Sequence, residues 1–242
     1  MGDNTPRRWG LLGVVILFLA VPAAAQRLSV DVVPKPLSVE AGSGGAVWVR
    51  AGTPIVVPPG DGGALRTARW FAELALRSRG LRLAPGAPAA GQRAAIVFKR
   101  EPGAVDSEAY TLDIGRGRIV VAASSDAGLL YGAVTLWQLM TADEARGPVR
   151  LESLAIIDRP RFAWRGLLLD SARHMQSPTF ILKTLDWMAL HKLNVLQWHL
   201  TDDQGWRLPV AGYPRLTSVG AWRVPASLGP PAMDPKTGKP RL

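Results

Sequence analysis

The chain has 242 residues, 48% hydrophobic and 20% charged, with a mean hydropathy of +0.09. This balance excludes a disordered or fibrous protein and leaves one or two globular domains. The length falls just short of the about 250 residues that a closed eight-fold α/β barrel requires. The absence of cysteine rules out disulfides, thiolate metal sites and cysteine nucleophiles. A formal net charge of +10, from 29 basic and 19 acidic residues, raises nucleic acid or an anionic surface as a partner. The arginines are scattered singly, however, and the one Arg-Arg pair is Arg7-Arg8. No nucleic-acid partner is expected.

Taken in chain order, residues 1–25 read as an export signal. Arg7-Arg8 form a positive start, residues 11–21 are an apolar run, and Ala23-Ala24-Ala25 follow Pro22. A small-x-small pattern of this kind marks cleavage before Gln26. An apolar run of about 11 residues is too short for a membrane helix, which needs about 20. No stable membrane span is expected once the signal is cut. Export to periplasm or medium is the expected fate.

Residues 26–158 mix strands and helices. Residues 46–50 and 55–57 read as short strands, separated from the next element by Pro58-Pro59-Gly60-Asp61-Gly62-Gly63. Leu65, Ala68, Phe71, Leu74 and Ala75 recur at helical spacing, with Gly80 where a C-terminal cap belongs. Residues 94–98, 109–114 and 118–123 read as strands, the last two joined by the turn Gly115-Arg116-Gly117. Ser125-Asp126 then cap a helix through Leu130, Val134 and Trp137 to Met140. The expected unit is a small α/β domain, an antiparallel sheet covered by two helices. Nothing in it clusters titratable residues as a site would.

From residue 159 the rhythm becomes strand, helix, strand. Leu167-Leu168-Leu169 reads as a strand buried on both faces. Ser177 and Pro178 open a helix with Ile181, Leu185, Met188 and Ala189 on one side, and residues 194–200 form the next strand. Such a unit has parallel strands. Asp170, Arg173 and His174 follow the first strand, and Asp202, Asp203 and Gln204 follow the second. In barrels and open α/β sheets that edge holds the ligand.

Several motifs are specific. Ile157-Asp158-Arg159-Pro160-Arg161-Phe162-Ala163-Trp164-Arg165-Gly166 leads into Leu169-Asp170-Ser171-Ala172-Arg173-His174. Asn194-Val195-Leu196-Gln197-Trp198-His199-Leu200-Thr201-Asp202-Asp203-Gln204-Gly205-Trp206-Arg207 and Tyr213-Pro214-Arg215-Leu216-Thr217 follow. These resemble the start of the catalytic barrel of β-N-acetylhexosaminidases, glycoside hydrolase family 20. Upstream, Val33-Pro34-Lys35-Pro36, Glu108-Ala109-Tyr110-Thr111-Leu112, Gly128-Leu129-Leu130-Tyr131-Gly132 and Thr135-Leu136-Trp137-Gln138-Leu139 are similar to that family's accessory α/β domain. The resemblance covers nearly all of residues 26–242. It implies an accessory domain over 26–158 and the first two βα units of a (β/α)8 barrel over 159–242.

The implied chemistry is removal of a terminal N-acetylglucosamine or N-acetylgalactosamine from chitobiose-like oligosaccharides or glycoconjugates, with retention of configuration. The substrate's own acetamido carbonyl is the nucleophile. An adjacent Asp-Glu pair orients the acetamide and donates the proton, and the glutamate's pKa must be held up for that task. That pair is expected beyond Leu242, in the fourth barrel strand. Asp143-Glu144 has no glycines before it and reads as solvated surface. The resemblance carries over Arg173 as a ligand for sugar hydroxyls, suited by its planar fork of donors. It carries over Asp202 as support for the catalytic acid through a histidine further along the barrel.

Asp203, Gln204 and Trp206 are candidates for fixing the site loop. Arg165 and Asp170 are expected to support the barrel wall, and His199 to be a core histidine. Arg173 paired structurally with Asp170, and Asp202 capping local amides, are the alternatives. No cofactor is expected, and the spacing of His174, His199 and Asp202 matches no compact zinc motif. A non-catalytic carbohydrate-binding or scaffold protein, and a basic binder at the envelope surface, remain open as other classes.

Overall fold

The computed structural model describes residues 30–86, 96–103, 106–223 and 232–240; the expected signal at 1–25 lies outside them. In chain order the elements are β1 (Ser38–Ala41), β2 (Val47–Val49), β3 (Pro54–Val56), α1 (Gly62–Arg79), β4 (Ala84–Pro85) and β5 (Ile96–Arg100). There follow β6 (Tyr110–Gly115), β7 (Arg118–Ala123), α2 (Asp126–Thr141), β8 (Val149–Leu151) and β9 (Leu154–Asp158). The last group is β10 (Gly166–Asp170), α3 (Pro178–Leu190), β11 (Val195–His199), β12 (Thr201–Asp202), β13 (Gly205–Trp206) and α4 (Arg215–Ser218).

The main sheet has seven strands in the order β1-β9-β6-β7-β5-β3-β4. It is mixed, where the sequence reading expects antiparallel pairing. β1, β9, β6 and β7 pair antiparallel, but β7, β5, β3 and β4 pair parallel. The cause is α1, whose crossover returns the chain to the sheet in the same direction as β3. Tyr110, Leu112 and Ile114 of β6 and Ile119, Val121 and Ala123 of β7 are buried on the helix-covered face. Thr111, Asp113 and Val120 alternate to the less buried face.

The two helices sit where the sequence places them. Asp61 caps α1 by accepting from the Ala64 N–H at 2.9 Å, and Gly80 ends it in the left-handed conformation. Phe71 of α1 meets Phe98 of β5 edge to face, ring centroids 6.1 Å apart. α2 lies close on the sheet because Gly128 and Gly132 face it. A Cβ at Gly132 would stand 2.4 Å from Val121 Cγ1, and one at Gly128 2.4 Å from the Ala109 carbonyl oxygen.

Titratable groups in this domain form structural ion pairs. Arg79 is buried between the two helices, where it donates to the Met140 and Gly147 carbonyls at 2.7 and 3.1 Å and pairs with Asp143. Asp143 is thus exposed but bound. Arg100 pairs with Asp61 at 2.6 Å and also with Asp126. The Arg100 guanidinium is the main reason that the Asp61 carboxyl titrates low, at about 2 instead of 3.8. Stability from this pair is therefore full above the unfolded carboxyl's pKa and lost as pH falls toward about 2. Urea titrations of Asp61→Asn against the parent should show a deficit at pH near 6 that shrinks steadily in acid; a constant deficit would assign the loss to the helix cap alone.

β10 and β11 pair parallel in the register Gly166↔Val195 to Asp170↔His199, with α3 between them. Ser177 caps α3 by accepting from the Phe180 N–H at 3.2 Å, with Pro178 in the first turn. Two expectations fail here. Leu167 and Leu168 are exposed to 38% and 54%, and Leu185 to 42%. Among the described residues β10 pairs only with β11, which leaves these side chains partly uncovered. Ile181, Thr184 and Met188 form the buried stripe of α3.

Candidate active site

The polar residues that follow β10 and β11 converge. The chain leaving β10 curls over the end of β11, where the N–H groups of Ser171 and Ala172 both donate to the His199 carbonyl at 2.9 and 3.0 Å. Trp198 Nε1 donates to Ser171 Oγ at 2.8 Å. Arg207 holds the same turn from the other side, donating to the carbonyls of Ser171 and Ala172, both at 3.1 Å. β12 and β13 form a short hairpin around Asp203 and Gln204. Gly205 permits the crossing, since a Cβ there would stand 2.8 Å from the Ala172 carbonyl oxygen.

These contacts bring Arg173 and Asp202 together. Arg173 Nη1 reaches Asp170 Oδ2 at 2.8 Å, and Nη2 reaches Asp202 Oδ2 at 3.0 Å. The Arg173 N–H also donates to Asp170 Oδ1 at 2.9 Å. Asp202 Oδ1 accepts from the Asp203 N–H at 2.7 Å. That N–H is the first cause holding Asp202 down to about 2, with Arg173 and His199 adding to it. Asp170 is lowered chiefly by the Arg173 side chain, and Arg173 is raised chiefly by Asp170. At neutral pH all three groups are charged. The Arg173 side chain is 46% exposed at this edge, and two of its five N–H groups are engaged by the carboxylates.

His199 is the residue that sequence reasoning misplaces. It is half-buried, and its Nε2 lies 3.0 Å from Asp202 Oδ2. An ionised carboxylate only accepts, so this nitrogen carries the proton. The histidine that meets Asp202 within the described residues is therefore three positions before it. The available signal was its place as the last residue of a strand before Asp202. Asp170, the last residue of strand β10, also belongs to this cluster.

The other candidates divide. Asp203 is exposed and contributes its backbone N–H. Gln204 turns Oε1 inward, buried with no partner among the described residues. Trp206 Nε1 donates to the Leu208 carbonyl at 2.6 Å, and its own N–H to that of Gly220 at 2.8 Å, so it pins the loop. His174 is exposed. Among the described residues no group of three or more His, Asp or Glu is placed to hold a metal ion, and no helix is long and apolar enough to cross a membrane.

The fold and this edge are matched by family models. Residues 29–159 match glycosyl hydrolase family 20, domain 2, and residues 162–234 match the family's catalytic domain. The chain belongs to glycosyl hydrolase family 20. Among family 20 relatives, it is 33% identical over 201 residues to the beta-N-acetylhexosaminidase of Cellulomonas fimi, covering 83% of this chain and 35% of that protein. It is 42% identical over 129 residues to a beta-hexosaminidase of Akkermansia muciniphila, covering 53% of this chain and 26% of that one. The Streptomyces plicatus N-acetyl-beta-hexosaminidase structure superposes with a TM-score of 0.73 at 33% identity, over 81% of this chain and 40% of that one. The Vibrio harveyi family 20 exo beta-N-acetylglucosaminidase in complex with N-acetylglucosamine superposes with a TM-score of 0.68 at 29% identity, over 83% and 31%. The chain thus spans well under half the length of the relatives it matches. These neighbours agree with an accessory domain followed by part of a barrel.

Proposed function

We propose that this chain supplies the accessory domain and the opening of the catalytic barrel of an exo-acting β-N-acetylhexosaminidase. The enzyme removes terminal N-acetylglucosamine or N-acetylgalactosamine from chitobiose-like substrates with retention, using the substrate's acetamido carbonyl as nucleophile. The observation that carries the reading is Arg173, forked between Asp170 and Asp202 at the carboxyl edge of two parallel strands. A charged donor held by two carboxylates, on a partly exposed side chain, suits vicinal sugar hydroxyls. The acid-bearing Asp-Glu pair belongs to the part of the barrel beyond Leu242.

Release of p-nitrophenol from its N-acetylglucosaminide by the protein of the complete reading frame is the test. No turnover there, with chitobiose still bound, would favour a non-catalytic carbohydrate-binding protein. Residues 26–242 alone should show no turnover in the same assay, because they hold no general acid beside the sugar. A clearly active 26–242 product would place the acid within this chain.

Asp202 acts chiefly on the proton donor in this reading, and touches the sugar only through its hold on Arg173. Asp202→Asn should therefore lower kcat by about ten-fold to a thousand-fold, with a smaller change in KM. The acid limb of the pH–rate profile should move as well. A profile that stays in place would leave Asp202 as a loop-capping carboxylate.

Export is part of the proposal. The protein isolated from outside the cytoplasm should begin at Gln26, and N-terminal sequencing that still reads through Arg7-Arg8 would remove the cleaved signal.

A further inference from the structure

Both strands that carry the candidate site begin on residues anchored in the accessory domain. Arg165, just before β10, uses all five of its N–H groups. It donates to both carboxylate oxygens of Glu108 at 2.7 and 2.9 Å, to Tyr131 Oη at 2.9 Å, and to the carbonyls of Lys192 and Phe162, each at 2.7 Å. Lys192, three residues before β11, is 4% exposed. Its ammonium donates to Tyr110 Oη and Thr135 Oγ1, each at 2.8 Å, and to Asp158 Oδ2 at 3.1 Å. The two anchors are themselves joined, through the Lys192 carbonyl.

The backbone at Lys192 is informative. It follows α3 in the left-handed conformation, φ 57°, a position that glycine normally fills. A lysine there carries a steric cost that its side chain must offset. Asn194 completes the junction, accepting from the Arg165 N–H at 3.0 Å and donating to the Ala163 carbonyl at 2.8 Å. From these anchors the strands run about 17 Å, five residues at about 3.3 Å each, to Asp170 and His199.

We propose that the accessory domain is a positioning brace for the site, with Lys192 and Arg165 as positioning residues that set the axial height of the strands bearing Arg173 and Asp202. Within the described residues these strands have no other partners in their sheet, so the anchors fix what pairing alone leaves free to slide. The proposal rests on the hexosaminidase reading for its kinetic arm only.

The test uses the complete enzyme with Lys192→Met and, separately, Glu108→Gln, which lies wholly in the accessory domain. In folded protein well below its melting temperature, kcat/KM on the p-nitrophenyl N-acetylglucosaminide should fall about ten-fold or more, mainly through KM, because sub-ångström misplacement is costly. Amides of β10 and β11 should exchange about ten-fold faster with solvent, while those of β6 and β7 keep their protection. If Lys192→Met does not fold, Glu108→Gln decides. Kinetics within about two-fold of the parent in the folded variants would overturn the proposal whatever the exchange shows, leaving an ordinary domain junction. An inactive parent enzyme would sink the hexosaminidase reading alone, and exchange at β10 and β11 would then decide whether the brace exists.

Discussion

Arg173→Ala in the complete enzyme is expected to weaken binding of the terminal aminosugar severely. Each hydrogen bond from a charged donor to a sugar hydroxyl contributes about 1.5–3 kcal/mol, so losing even one raises KM about ten-fold or more. The damage extends past the lost donor. Asp170 and Asp202 face Arg173 at 2.8 and 3.0 Å, and without it two ionised carboxylates confront each other at the site. Arg173→Lys keeps the charge but loses the fork that spans both carboxylates, and should recover only part of the affinity. Steady-state kinetics on the p-nitrophenyl N-acetylglucosaminide check both variants. Unchanged KM and kcat for Arg173→Ala would remove this residue from the site.

Asp158→Ala is expected to be the most destabilising single change at the domain junction. It leaves the Lys192 ammonium, 95% buried at its side chain, without a counter-charge, at a cost of about 3–5 kcal/mol. Tyr110 also loses its acceptor, for its hydroxyl donates to Asp158 Oδ2 at 2.7 Å. The pH dependence carries a definite sign. Burial already pushes the Lys192 amine below its ordinary value, and removing Asp158 pushes it further in the same direction. The variant's deficit is therefore full at pH below that lowered value, where the amine is charged, and shrinks as pH rises through it. Urea denaturation across that range measures it. The double change Asp158→Leu with Lys192→Met should regain most of the loss, as matched apolar replacement of buried ion pairs often does. A deficit under about 1 kcal/mol for Asp158→Ala would show that water reaches the pair.

The sequence by itself determined whatever depends on neighbours along the chain. Gly80, Ser125 and Ser177 end or begin helices where their side chains or backbone freedom dictate, and Gly115-Arg116-Gly117 turns β6 into β7. Strand periodicity alone puts Asp170, Arg173 and His174, and Asp202, Asp203 and Gln204, just past the strands' carboxyl ends; only the resemblance to family 20 singles out Arg173 and Asp202 among them.

Only the tertiary structure decided the long-range pairings. The parallel half of the main sheet depends on how α1 returns the chain, which no local pattern of β3 or β5 records. His199 sits in a strand sequence that reads as core, and it becomes Asp202's partner only when the chain turns at Leu200. Arg165 and Glu108 are 57 residues apart, and Lys192 and Tyr110 are 82 apart. Each is an ordinary surface charge or buried hydroxyl when read locally. A charge can be buried only where a distant opposite charge or acceptor meets it, and that meeting is a property of the packed domains, not of either segment.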